Sequence, residues 1–220
     1  MELVLPKTLD YAATLRYLGA ADWQPDENTE SLLRMAEQEL RGACTPRGTW
    51  REFPESPAWL QNAGEDIARH LAGCDGVVLM AVTLGSAVDA LLRRLCMKDI
   101  ALGAVADAAA SVLMEAVCDE MEEQIRREQD QKKRFMTGRY SPGYGDCPLA
   151  LQDDLCLSLD TVRGIGLCVT KEHLMAPRKS VTAILGTADH PVTGARAGCA
   201  HCVLRETCAY RKRGITCETA

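Results

Sequence analysis

The sequence lacks several features that would each point to a class of function. In its 220 residues no run approaches the roughly 18 to 20 apolar residues of a membrane span, so we expect no membrane segment. The N-terminus lacks the basic and apolar regions of a secretory signal. The net charge of −6 argues against general nucleic-acid binding, which depends on a basic surface. We therefore expect a cytoplasmic protein with neither a membrane nor a nucleic acid as its partner.

Familiar catalytic motifs are also missing. The sequence has no P-loop, no HExxH metal motif and no GxSxG nucleophile elbow. Its four histidines, His70, His173, His190 and His201, form no metal-binding pair at helical spacing. Gly164-Ile165-Gly166 lacks the third glycine of a dinucleotide fingerprint. We therefore predict no catalytic residue of these kinds.

Cysteine, by contrast, is abundant, with eleven residues. Because we expect a reducing compartment, disulfides are the weaker interpretation. Seven cysteines are scattered singly, and we predict that most of them are small packing residues: Cys44, Cys74, Cys96, Cys118, Cys147, Cys156 and Cys168. The other four, Cys199, Cys202, Cys208 and Cys217, follow a C-x2-C-x5-C-x8-C pattern. Thiolates ligate both iron–sulfur clusters and zinc, so this tail predicts a cluster, with zinc or unmetallated thiols as alternatives.

Hydrophobic periodicity predicts helices followed by strands without a regular βαβ alternation, which is typical of an α+β fold. The predicted helices are 8–19 with Thr8 as its cap, 29–40 ending before Gly42, 86–95, 101–135 with a solvent-projecting charged end, and 149–159 capped by Asp146. The predicted strands are 77–84, 164–170 and 180–185, and residues 43–64 are predicted to be irregular or short-stranded.

Two features offer binding chemistry. Arg139 precedes a loop rich in glycine and proline that runs to Pro148. An arginine fork can bind a carboxylate and glycine permits a close backbone approach, although an ordinary helix–helix connection has the same composition. Glu115 lies within about 60° of Val112 around the long helix, at ~100° per residue. It either receives an ammonium or ribose hydroxyl, or is a salt-bridged glutamate at the edge of the core.

The segment Arg139-x-x-Pro142-Gly143-Tyr144, followed by Cys147-Pro148, resembles the S-adenosylmethionine-binding activation domain of cobalamin-dependent methionine synthase. The segment Met175-x-Pro177-x2-Ser180-Val181-Thr182 is similar to a later part of that family, and Glu115 falls at the family's cofactor-contacting glutamate. Leu15-Arg16-Tyr17-Leu18-Gly19 resembles its shorter, free-standing branch. The resemblance covers most of residues 8–186.

The resemblance implies an activation-domain-like fold, with long helices packed on a mixed or antiparallel sheet. It implies an S-adenosylmethionine-binding domain at 1–190 and leaves 191–220 as a Cys-rich tail. Arg139 then binds the cofactor's carboxylate and Glu115 its ammonium, while Pro142, Gly143 and Tyr144 shape the cradle.

By the same resemblance, the activity is reductive methylation of cob(II)alamin on a separate cobalamin-binding methionine synthase or related corrinoid protein. The electron comes from an unidentified donor. The chain lacks the Asp-x-His-x2-Gly motif that ligates cobalt in the fused enzyme, so it is an activation component and not the complete methyltransferase. The alternatives are a non-catalytic S-adenosylmethionine-binding docking module and an activator for a different methyltransferase system.

The tail yields the first testable prediction. If the four cysteines hold a cluster, anaerobically purified protein is coloured and contains iron, and Cys199→Ala together with Cys202→Ala removes both. Zinc gives a colourless protein with bound zinc. A colourless product without iron or zinc contradicts both metal assignments.

Overall fold

The computed structural model describes residues 1–20, 23–192, 194 and 206. The helices are α1 (Tyr11–Tyr17), α2 (Glu27–Ala43), α3 (Glu65–His70), α4 (Ser86–Lys98), α5 (Ile100–Gln131), α6 (Leu151–Leu159) and α7 (Thr161–Ile165), with one turn of 3₁₀ helix at Ala58–Leu60. The strands are β1 (Arg47–Phe53), β2 (Gly76–Thr83), β3 (Phe135–Met136), β4 (Cys168–Val169), β5 (Met175–Ala176) and β6 (Ser180–Ala188).

A four-stranded antiparallel sheet in the order β1-β2-β6-β3 forms the centre of the described fold. Strands β2 and β6 pair over eight residue positions, from Gly76 opposite Thr187 to Thr83 opposite Ser180. All eight residues of β2 are buried, which confirms the predicted buried strand. The predicted α+β class and antiparallel sheet are confirmed.

Alternate residues of the two central strands enter two different cores. Val78 and Met80 join the larger core with Leu185, against helices α1, α2, α4 and α5. Leu79 and Ile184 join the smaller core, against α3, α6 and α7. The alternation follows from the period of two along a strand, and it makes the sheet the middle layer of three.

Helix α5 is the longest element and remains a core helix over its whole length. Its first half is so apolar that length and composition alone would allow it to cross a membrane. No apolar run of that length was predicted from the sequence. Most of that stretch is buried against the rest of the described fold. Met121 and Ile125, in the charged second half, are completely buried, so the prediction that this half projects into solvent is wrong. Every third or fourth residue of this half still faces the core.

Several predicted boundaries are also corrected. Asp10 and not Thr8 caps α1, where its carboxylate accepts the Ala13 N–H at 2.8 Å. Gly42 lies inside α2 and not beyond it. Residues 161–165 are helical, so only Cys168–Val169 remains of the strand predicted at 164–170. Residues 43–64 were predicted to be irregular or short-stranded, and they contain the seven-residue strand β1. Its hydrogen bonds to β2 stabilise this strand, although its sequence has no clear strand pattern.

The seven scattered cysteines are all free, but they do not all pack in the core. Cys118, Cys147 and Cys156 are buried, and Cys44 and Cys74 are partly buried. Cys96 and Cys168 are exposed, so the packing interpretation is wrong for these two. The predicted domain boundary at residue 190 stays a prediction, since the four-cysteine tail lies outside the described residues.

The second half of α5 yields a stability prediction. We expect Ile125→Ala to lower the free energy of unfolding by about 2 to 5 kcal/mol, because the residue is fully buried. The exposed neighbour Glu128 is the matched control, and Glu128→Ala should change stability by less than about 0.5 kcal/mol. Chemical denaturation measures both, and equal small effects would contradict the packing of this half.

Candidate functional site

A cleft of about 360 Å³ opens at the edge of β6, within the size range of small-molecule sites. Four regions line it: Glu115 of α5, the loop before α6 through residues 139–142, Tyr144 and Leu149, Gln152 of α6, and Met175 with Ser180, Val181 and Thr182 of β5 and β6. A larger hollow of about 700 Å³ lies between α2, α4 and α5. Of its three charged groups, Glu39 and Arg94 pair with each other at 2.8 Å, which leaves Lys98.

The loop that carries the predicted site residues is fixed to β6 before it turns. Tyr140 and Ile184 exchange two backbone hydrogen bonds, at 3.0 and 2.8 Å. The Ser141 hydroxyl then donates to the Thr182 carbonyl at 2.7 Å. Because neighbouring residues of an extended segment point to opposite faces, Arg139 reaches α5 while the Tyr140 ring packs against His70 at 5.1 Å.

Arg139 lies among three carboxylates on successive turns of α5. Its guanidinium is 3.3 Å from Glu115, 2.7 Å from Asp119 and 3.2 Å from Glu122. Burial of the guanidinium opposes its charge, but the acidic neighbours outweigh burial and raise the pKa of Arg139. Arg126 also pairs with Glu122, at 2.6 Å, so the cluster carries two positive groups against three negative ones.

Two buried groups lie beneath this cluster. Burial raises the pKa of the Cys118 thiol to about 12, so it is neutral at ordinary pH and adds no charge. The Nη1 atom of Arg139 is buried and has no hydrogen-bond acceptor among the described residues. The carboxylate neighbours therefore leave one buried N–H donor of the guanidinium without a hydrogen bond. A buried donor without an acceptor lowers the stability of the fold.

The structure brings the predicted cofactor-binding residues together. Glu115, Arg139, Pro142 and Tyr144 all line the cleft. Gly143 lies between the last two with a φ of +89°, a conformation that favours glycine, and an added Cβ would lie 3.1 Å from Leu149. Glu115 also matches its alternative interpretation, since it is an edge glutamate paired with Arg139. Their assignment to a cofactor stays a prediction.

Sequence reasoning missed part of the cleft. Ser180, Val181 and Thr182 belong to the segment that carried the family resemblance, but nothing in their pattern predicted that they line a cavity. Gln152 gave no signal at all, because it lies within an ordinary amphipathic helix and faces the cleft only through the packing of α6 on β6.

Asp146 does not cap α6 as predicted; it caps α3, which is distant in sequence. Its carboxylate accepts the backbone N–H groups of Glu65 at 2.6 Å and Asp66 at 3.0 Å. The Asp66 carboxylate accepts the Asp146 N–H in return, at 3.4 Å. Gly145 makes this approach possible, since a Cβ there would collide with the Asp66 carboxylate. The two reciprocal caps hold the far end of the site loop.

No group of three or more His, Cys, Asp or Glu side chains within the described residues is arranged to hold a metal ion. The predicted metal ligands Cys199, Cys202, Cys208 and Cys217 lie outside those residues. The C-terminal tail therefore keeps its metal assignment as a prediction from spacing alone.

The three layers match the fold of a solved reactivation domain. The crystal structure of the MetH reactivation domain bound to AdoHcy matches with a TM-score of 0.61 and 19% identity, over 94% of this chain and 82% of that one. At that identity the likeness establishes the fold. A comparison with curated protein sequences gives no significant match.

The family follows from the sequence. The sequence model of the family described as "Vitamin B12 dependent methionine synthase, activation domain" matches residues 65–192, more than half of the chain. The protein therefore belongs to the activation-domain family of vitamin B12-dependent methionine synthase. The resemblance seen in the sequence is confirmed.

The reciprocal caps lead to a prediction about pH. Hydrogen bonds from the backbone N–H groups of Asp66 and Glu65 lower the pKa of Asp146. A carboxylate with a lowered folded pKa stabilises the fold above its ordinary pKa, and this stabilisation is lost as the pH falls through the folded value. We expect Asp146→Ala to destabilise the protein at neutral pH, and the difference from the unsubstituted protein to shrink below about pH 4.

Chemical denaturation at several pH values measures this difference. Asp130→Ala is the matched control, because Asp130 is an exposed aspartate whose carboxylate makes no hydrogen bond within the described residues. A difference for Asp146→Ala that is independent of pH would contradict the capping role of the ionised carboxylate.

Proposed function

We propose that this protein binds S-adenosylmethionine in the cleft at the edge of β6 and supports reductive methylation of cob(II)alamin on a separate corrinoid protein. The observation that carries the proposal is the pairing of Arg139 with Glu115 across the cleft. Membership of the activation-domain family supports it, as does the likeness to a reactivation domain whose structure contains AdoHcy.

The charges of the cleft suit the amino-acid end of the cofactor. That end carries a carboxylate and an ammonium on one carbon, and Arg139 and Glu115 offer one group of opposite charge to each. The ligand's carboxylate replaces Glu115 and Asp119 as a partner of the guanidinium, and its ammonium pairs with Glu115. Arg139, Glu115 and both charges of the ligand therefore have a partner, while the exposed Asp119 carboxylate is solvated, which limits the cost of desolvation.

The excess of negative charge favours the methyl donor over other amino-acid ligands. Glu115, Asp119 and Glu122 outnumber Arg139 and Arg126 three to two. S-adenosylmethionine carries an ammonium and a sulfonium against a single carboxylate, so its net positive charge complements the cluster.

The protein's contribution is positioning. The bound cofactor supplies a methyl group, which leaves the sulfonium sulfur for the reduced cobalt of the partner, with an electron from a separate donor. The loop at 139–148 is held by β6 at one end and by α3 at the other, so the bound ligand is presented on a rigid support. Fixed orientation of this kind lowers the barrier to group transfer without a catalytic side chain.

We further propose that the partner is a cobalamin-dependent methionine synthase that lacks an activation domain, and that both proteins are cytoplasmic. The free state of all seven described cysteines suits a reducing compartment. The family supports the cobalamin partner. A pull-down with candidate corrinoid proteins tests the partner assignment.

Removal of Arg139 tests the binding site. We expect Arg139→Ala to weaken S-adenosylmethionine binding by about 10- to 100-fold, because it removes charge-assisted hydrogen bonds to the ligand's carboxylate. Isothermal titration calorimetry measures the dissociation constants, and thermal denaturation verifies that the variant is folded. Arg127→Ala is the matched control, since Arg127 lies on the exposed side of α5 and pairs only with Glu123 within the described fold. Unchanged affinity of Arg139→Ala for S-adenosylmethionine would contradict the assignment of the binding site.

Methyl transfer separates this proposal from a docking module. With an external reductant and a corrinoid partner, the protein should transfer labelled methyl groups from S-adenosylmethionine to cobalt, and Arg139→Ala should transfer them more slowly at low cofactor concentration. Binding without transfer to any corrinoid partner would support a non-catalytic module.

A further inference from the structure

Gln152 is a buried amide at the neutral end of the cleft. It lies on α6, is 3% exposed and lines the cleft. Its Oε1 atom accepts a hydrogen bond from the Thr182 hydroxyl at 2.9 Å. Thr182 is itself 1% exposed, and its carbonyl accepts the Ser141 hydroxyl at 2.7 Å. A chain of buried contacts therefore links the site loop through Thr182 to the amide on α6.

The other half of the same amide has no partner. The Nε2 atom of Gln152 makes no hydrogen bond within the described part of the chain. It is not one of the polar atoms that are sealed from solvent, and Gln152 lines the cleft. A nearly buried amide is expected to be hydrogen-bonded on both sides. The free donor thus points to an acceptor atom on a ligand.

The position of Gln152 indicates which part of a ligand supplies that acceptor. Arg139 and Glu115 form the charged end of the cleft, on the α5 side of the sheet. Gln152 lies on the α6 side, where the neighbouring cleft residues Leu149 and Met175 are apolar. An uncharged donor among apolar side chains suits a neutral heteroaromatic or sugar group.

We propose that Gln152 recognises the adenosine part of the ligand, an inference that rests on the proposed function. Its Nε2 donates to a neutral acceptor atom of the nucleoside, while Arg139 and Glu115 hold the amino-acid part. Thr182 is a positioning residue, because its hydroxyl orients the amide. The two ends of the ligand are thereby recognised from opposite sides of the sheet.

The test uses two ligands that share the nucleoside. S-adenosylhomocysteine has both ends, whereas 5′-methylthioadenosine lacks the amino-acid group. We expect Gln152→Leu to weaken both by about 5- to 10-fold, the effect of one lost hydrogen bond. Arg139→Ala should weaken only S-adenosylhomocysteine. Isothermal titration calorimetry gives the dissociation constants, and thermal denaturation verifies folding.

Three further variants and a control, Gln61→Leu, exclude a merely structural role. Gln152→Glu keeps an acceptor for Thr182 but replaces the donor with a carboxylate, so it should weaken both ligands at least as much as Gln152→Leu. Thr182→Val should bind both ligands more weakly. Thr182→Ser, which keeps the hydroxyl, should bind them as the unsubstituted protein does. Gln61→Leu, at an exposed glutamine away from the cleft, should bind as the unsubstituted protein does.

The outcomes separate this inference from the proposed function. Unchanged affinity in Gln152→Leu and Gln152→Glu, with loss in Arg139→Ala, overturns the role of Gln152 and leaves the proposed function intact. Failure of the unsubstituted protein to bind either ligand overturns both. If Gln152→Leu binds S-adenosylhomocysteine more weakly but 5′-methylthioadenosine with unchanged affinity, the assignment of Gln152 to the nucleoside is overturned.

Discussion

The antiparallel pairing of β2 with β6 is the constraint on which the rest of the structure depends. Both strands are buried almost throughout, and their apolar side chains enter one of two cores. The long helix α5 covers one face, and the short helices α3, α6 and α7 cover the other. Strand β3 pairs with only two residues of β6. The site loop pairs with the same edge of β6 at Ile184, through Tyr140.

The cleft is a consequence of that arrangement. A ligand beside β6 meets α5 on one side and α6 on the other, so one site draws side chains from both outer layers. Charge is confined to the α5 side, where three carboxylates surround Arg139. Neutral and apolar groups occupy the α6 side. A ligand with a charged amino-acid end and a neutral nucleoside end matches this division, which a cleft within a single layer would not provide.

Much of the fold could be predicted from local pattern. The continuous apolar run of β2 and the apolar first half of α5 are strong signals, because long apolar stretches are buried when the chain folds. The charged second half of α5 misled prediction, since Met121 and Ile125 are too few to stand out among its charges. Asp146 was misplaced for a similar reason: an aspartate before a helix is a typical cap, but folding brings α3 closer to it than α6.

The sequence by itself determined the chemistry available at the site. Arg139, Pro142, Gly143 and Tyr144 are contiguous in a loop that cannot be regular structure, and Glu115 stands at the edge of an apolar helix face. The tertiary structure alone decided that Glu115 faces Arg139 across the sheet edge, and that Gln152 and Thr182 complete the other end. The physical reason is that hydrogen bonds and ion pairs between distant segments depend on strand pairing and layer packing, which leave no trace in local periodicity.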